Sequence, residues 1–145
     1  MKYFIGAFFK GISFILSRLP VAVRNAIGDL IGLLWFDVFR IRRKVAIDNV
    51  GIAFPELSVA ERTRIARASL RHMGRTIVEY SLLPYFDRDD IERFFDIEGL
   101  EYVEAALREG KGAILMTLHL GNGDFAIAML SRLGLPIHLI SKEFK

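Results

Sequence analysis

Ala113-Ile-Leu-Met-Thr-Leu118-His119, followed by Leu120-Gly-Asn-Gly-Asp124, is the stretch on which the reading of this chain turns. Ala113–Leu118 is an apolar run of strand length, the pattern of a strand covered on both faces. A helix is predicted from about Asp124 to Leu133, closed by Gly134. Ile137-His-Leu-Ile140 then reads as a second strand. Together these segments predict a β-α-β unit with parallel strands and a right-handed crossover. Upstream, Phe95–Ile97 reads as a short strand, and Glu101–Glu109 as a helix with Gly110 as its C-cap.

His119 directly follows the central strand, where open α/β sheets place their sites. Asp124 comes five positions later, and Gly121 and Gly123 allow a tight turn that folds it back toward the imidazole. An Asp at a helix start is favoured as the anion. A carboxylate on one imidazole nitrogen fixes the tautomer and stabilises the imidazolium, leaving the other nitrogen free to take a proton. The chain has no Cys and no Gly-x-Ser-x-Gly elbow, so no protein nucleophile accompanies the pair. Direct attack by a substrate hydroxyl, as in acyl transfer to an alcohol, suits such a dyad. A capping Asp beside a His satisfied by backbone accounts for the same spacing. A metal site is not expected, since His138 is the only other imidazole nearby.

In the middle of the chain, Ser58 followed three positions later by Glu61 is a capping box. It predicts a helix from Val59 to Leu82 or Leu83, where Pro84 stops it. Ile65, Leu70, Met73, Ile77 and Tyr80 fall at helical spacing and are expected to form its apolar side. Arg64, Arg67, Arg71 and Arg75 step by three, four and four, which lines them on one face. Such a row suits phosphates or an acidic protein surface through charge-assisted hydrogen bonds. A solvated helix face accounts for it equally. His72, beside the row, is assigned no role.

Residues 3–39 are apolar and aromatic, broken at Leu19-Pro20, and predict helices near 3–18 and 21–39. Their longest charge-free runs fall well short of the roughly 20 apolar residues a membrane span needs. Arg40, Arg42, Arg43 and Lys44 follow at once. The first 50 residues carry 8 basic and 3 acidic side chains, although the whole chain is only +3. An apolar, aromatic and basic segment predicts a helical hairpin lying in a membrane interface, with the basic cluster on anionic headgroups. Two core helices joined by a solvated basic turn are the alternative. The overall charge is too mild to argue for nucleic acid, and none is expected as a partner. A mean hydropathy of +0.33 and 52% hydrophobic residues exclude general disorder.

Residues 97–124, ending in Leu-His-Leu-Gly-Asn-Gly-Asp124, resemble the bacterial lipid A biosynthesis acyltransferases, within the wider glycerolipid acyltransferase superfamily. Arg42-Arg-Lys-Val-Ala-Ile-Asp-Asn-Val50, Phe54-Pro-Glu-Leu-Ser58 and Arg71-His-Met-Gly-Arg-Thr76 are similar to further family segments, so the resemblance covers nearly the whole chain. It implies transfer of a fatty acyl group from acyl-acyl carrier protein, or acyl-CoA, to a hydroxyl of a lipid A precursor. The implied setting is the cytoplasmic face of the bacterial inner membrane, with no cofactor. It makes His119 the general base and Asp124 its orienting partner. Arg64, Arg67, Arg71 and Arg75 become candidate substrate contacts, and Arg40, Arg42, Arg43 and Lys44 candidate contacts to membrane lipids. Two positions depart from the family's pattern: Gly123 stands where an aromatic residue, usually Trp, is common, and Asp124 where Glu is frequent.

The expected fold class is therefore α/β. Residues 1–44 are expected as a membrane-associated helical hairpin with its basic cluster. Residues 45–145 are expected as the first, incomplete part of an α/β acyltransferase domain. Family members continue beyond the position of Lys145, so the chain is expected to be a truncated piece that needs further residues for activity. A non-catalytic membrane-binding module and an acyltransferase for another glycolipid or glycerophospholipid are the competing readings.

Overall fold

Pro20 divides the apolar N-terminal stretch into α1 (Lys2–Arg18) and α2 (Val21–Leu33). It sits at the N-cap of α2, and its carbonyl accepts from the Val23 and Arg24 amides at 3.0 and 3.1 Å. Proline, lacking a donor, suits a helix start where the first N–H groups have no partner in any case. The computed structural model describes residues 2–86, 88–118 and 121–140. The chain divides into two compact units, Met1–Tyr85 and Phe86–Lys145.

In the first unit, α2 widens into a π-helical segment, Leu34–Phe39, which ends at Arg40. α3 (Arg43–Ala53) follows after a turn held by the Trp35 indole N–H, which donates to the Ile41 carbonyl at 3.1 Å. α4 spans Val59–Leu82 and opens with the expected capping box. The Ser58 hydroxyl accepts from the Glu61 amide at 3.3 Å, and the Glu61 carboxylate accepts from the Ser58 amide at 2.9 Å. The Ser58 hydroxyl also donates to the Glu61 carboxylate at 2.7 Å, and that bond, followed by the Ser58 amide's, holds the Glu61 carboxyl below the ordinary carboxylate range.

The centre of this unit is the crossing of α2 and α4, made close by glycine. Gly28, Gly32 and Gly74 are all buried there. A Cβ on Gly28 would lie 2.6 Å from the Arg75 Cα, and one on Gly32 would lie 2.6 Å from the Arg71 Cα. A Cβ on Gly74 would run into the Gly28 carbonyl. The side of α4 that enters the core is Ala66, Gly74, Val78 and Leu82. Met73, Ile77 and Tyr80, expected on the apolar side, are exposed. Close approach of two backbones selects small residues for the seam and leaves the larger ones outside it.

The second unit holds α5 (Arg88–Phe94), α6 (Leu100–Arg108) and α7 (Gly123–Arg132), and an aromatic cluster joins Phe86, Phe94, Phe95 and Phe125. Phe125 meets Phe86 edge-on at 5.2 Å and stacks on Phe95 at 5.8 Å. Ile91, Phe125 and Met129 are its buried side chains. Gly110, at φ +73, ends α6 as a left-handed cap, its amide donating to the Leu107 carbonyl at 3.0 Å.

The expected α/β class is not what these residues build. Every regular element among the described residues is a helix, and Phe95–Ile97, Ala113–Leu118 and Ile137–Ile140 form no strand. Ile114 is 96% exposed and Met116 95%, where a strand covered on both faces requires burial. The physical reason is the non-local character of a sheet. A strand completes its backbone hydrogen bonds only on a neighbour, and two short segments without a covered face do not hold each other. The N-terminal membrane-associated helices are corrected as well. α2 spends its glycine face on α4 within the unit, and no helix among the described residues is long and apolar enough to cross a membrane.

Candidate active site

Asp124 lies in the first turn of α7, with its side chain on the exposed surface. The helix begins one residue earlier than the sequence predicts. The N-cap is Asn122, whose side-chain oxygen accepts from the Phe125 amide at 3.1 Å. Asn at this position satisfies one of the unpartnered donors of the first turn. The sequence offered Asp124 as the alternative capping residue; Asn122 takes that role instead, and Asn three positions before an apolar helix residue is its usual signal. Phe125, packed in the aromatic cluster, fixes the helix start on which Asp124 stands.

Gly121 takes the left-handed conformation, φ +69, which L side chains rarely adopt. Gly123 does not. A Cβ built on Gly123 meets only the Leu118 carbonyl oxygen, at an ordinary 3.6 Å. Two conclusions follow. The Leu118 carbonyl lies against the start of α7. The glycine at 123, unlike that at 121, is not demanded by the turn, so a side chain can stand there. His119 and Leu120 lie outside the described residues. Among the described residues, no three His, Asp or Glu side chains gather as a metal site.

The arginine row on α4 is engaged inside the first unit. Arg75 clasps Asp29 with two bonds, Nε to Oδ1 at 2.6 Å and Nη2 to Oδ2 at 2.8 Å. Arg71 Nη2 reaches the same Oδ2 at 2.6 Å. Asp29 keeps only 18% side-chain exposure, and Arg75, then Arg71, hold its carboxyl well below the usual carboxylate range. Further along the seam, Arg67 Nε donates to Asp37 at 2.8 Å and likewise lowers that carboxyl. Arg64 is exposed on the first half of α4. The sequence held a signal for this clasp. Asp29 and Asp37 are eight residues apart on α2 and its extension, and Arg67 and Arg75 are eight apart on α4, matching an antiparallel pairing of 29 with 75 and 37 with 67.

The cluster that follows α2 is arranged differently. Arg40 and Arg42 both sit at φ +54, on either side of Ile41, and both are exposed. The Arg43 guanidinium lies over the buried Phe36 ring, 4.8 Å from its centroid. Lys44 pairs with Asp48 one turn on, at 2.6 Å.

Asp124 thus stands in the first turn of an Asn-capped helix. The sequence profile of the bacterial lipid A biosynthesis acyltransferases matches residues 1–142, and the chain belongs to that family. The resemblance read from the sequence is borne out. Among curated relatives, the Escherichia coli lipid A biosynthesis palmitoleoyltransferase is 25% identical over 118 residues, covering 81% of this chain and 39% of the relative. The Escherichia coli lipid A biosynthesis lauroyltransferase is 23% identical over 109 residues, 75% of this chain and 36% of the relative. A Haemophilus influenzae lipid A biosynthesis acyltransferase is 29% identical over 108 residues, 71% of this chain and 35% of the relative. The chain thus spans about two fifths of the length of the curated relatives it matches, at most 39%. No solved structure is a significant match to it.

Proposed function

We propose that this chain carries the catalytic dyad of an O-acyltransferase of lipid A biosynthesis, with His119 as general base and Asp124 as the group that orients and charges it. The donor is a fatty acyl thioester on acyl carrier protein or coenzyme A, and the acceptor is a hydroxyl of a lipid A precursor. The work is done at the cytoplasmic face of the bacterial inner membrane. His119 takes the hydroxyl proton as the oxygen attacks the thioester carbonyl. The carbon–sulfur bond then breaks, and the imidazolium returns the proton to the departing thiolate. Asp124, on the other imidazole nitrogen, stabilises the charged ring between the two events. The observation that carries this reading is the family match across residues 1–142, which contains both members of the dyad.

The test is an acyl-transfer assay on membranes from cells expressing the protein. It uses labelled acyl-acyl carrier protein or acyl-CoA as donor and an under-acylated lipid A precursor as acceptor. Label is expected in the glycolipid with the wild type and is expected to vanish with His119→Ala. Asp124→Asn is expected to slow transfer by at least about 100-fold, the low end for losing acid–base support. Near-normal turnover by His119→Ala overturns the reading.

A further inference from the structure

The turn between α2 and α3 combines three features that structural packing does not require of it. Its tip is apolar and in water: Val38 is 62% exposed, Phe39 66% and Ile41 51%. Its flanks are cationic, with Arg40, Arg42 and Lys44 exposed and Arg43 half-buried on the Phe36 ring. Its backbone is strained, because Arg40 and Arg42 both occupy the left-handed region at φ +54. Glycine adopts that conformation freely, whereas a residue with a Cβ is penalised there. Two long cations therefore stand where the fold alone favours glycine. Such residues persist when the surrounding structure holds them and they serve a purpose.

The acidic neighbours do not neutralise this end of the unit. Asp37 is taken up by Arg67, across the seam, and Asp48 by Lys44. Arg40, Arg42 and Arg43 form no direct ion pair among the described residues, although Arg40 and Arg43 lie near enough to Asp37 to help lower its carboxyl, and they surround three exposed apolar side chains. An apolar tip ringed by cations is complementary to one kind of surface, an anionic lipid headgroup layer above hydrocarbon. A carboxylate-bearing protein surface complements the charge but needs apolar pockets of its own for Val38, Phe39 and Ile41, which hydrocarbon beneath headgroups supplies without any matching shape.

We infer that the turn Val38–Lys44 is a membrane wedge, which inserts Val38, Phe39 and Ile41 below the headgroups of an anionic bilayer while Arg40, Arg42 and Arg43 bind the phosphates. It rests on the membrane-surface part of the proposed function and adds the contacting residues and the lipid charge. The helices α1 and α2 take no part in the argument.

The wedge is tested with the full chain and two kinds of vesicle, one of zwitterionic phospholipid alone and one an equal mixture of zwitterionic and anionic phospholipid. The double variant Arg40→Gly/Arg42→Gly removes two charges and relieves the backbone. It is expected to unfold at a temperature no lower than the wild type, yet to partition roughly 30-fold less onto the mixed vesicles. Phe39→Ser is expected to lower partition onto both kinds, by about 10-fold. Trp35, the only tryptophan, is hydrogen-bonded to the turn and serves as an internal probe in the unaltered protein. Its fluorescence is expected to be quenched by mixed vesicles whose acyl chains carry bromine. Unchanged partition of the arginine variant, or bound protein with unquenched Trp35, overturns the wedge. If the arginine variant loses binding to isolated acyl carrier protein but keeps its hold on vesicles, the turn is a protein-docking site instead. His119→Ala is expected to partition like the wild type, so a failure of the chemistry and a failure of the wedge are read separately.

Discussion

The two units of this chain answer their sequences in opposite ways. In Met1–Tyr85, helices expected at 3–18, 21–39 and from Val59 stand within a few residues of those positions. In Phe86–Lys145, the helices α6 and α7 stand near their expected places, while every expected strand is missing among the described residues. The difference is one of range. A capping box, a helix-starting proline and a left-handed glycine cap each act within about four residues. A strand depends on a neighbour that can lie anywhere in the chain, so its apolar pattern states a requirement for cover and does not supply it.

That contrast can be pressed by mutation, beginning with the second unit. Phe125→Ala removes the ring that joins Phe86 and Phe95, and is expected to destabilise the unit by about 3–5 kcal/mol. Hydrogen exchange should then accelerate across α5 and α7. Slow exchange retained in α7 would show that its capping turn suffices without the aromatic cluster.

In the first unit, Gly74→Val drives a branched side chain into the Gly28 carbonyl and should lower stability by about 3 kcal/mol. Chemical denaturation measures it. A loss no larger than that of an exposed helical substitution would mean the helices separate easily, and that glycine does not set the crossing.

Asp29→Asn takes the charge from a carboxylate bonded by Arg71 and Arg75, and is expected to lose about 1.5–3 kcal/mol near neutral pH. The pH dependence has a definite sign. The folded carboxyl titrates below its unfolded value of about 3.9, so its stabilisation is complete above that pH and disappears as acid protonates the folded form. Unfolding midpoints followed downward from about pH 5 should fall less steeply in the variant than in the wild type. Part of the slope should remain, because the Asp37 and Glu61 carboxyls are lowered too. Identical slopes would remove Asp29 as the seat of the acid sensitivity.

The smallest effect is expected where the sequence promised a large one. Ile114→Ser should change stability by no more than about 0.5 kcal/mol, since the side chain is solvated. A loss of 2 kcal/mol or more, roughly what a buried aliphatic position costs, would restore the covered strand.

Sequence alone determined the family, the helix boundaries set by Pro20, Ser58, Glu61 and Gly110, and the pairing of His119 with Asp124 as a candidate dyad. Each of these is written in adjacent residues or in an ordered series of motifs. Tertiary structure decided the rest. It assigned the cap of α7 to Asn122 and separated the needed glycine at 121 from the unneeded one at 123. It turned three arginines that line one helix face into clasps on Asp29 and Asp37, and left Arg40 and Arg42 strained around an exposed apolar tip. Periodicity can say which residues share a face. Only the approach of another backbone says what that face meets, because that approach depends on contacts between residues far apart in the chain.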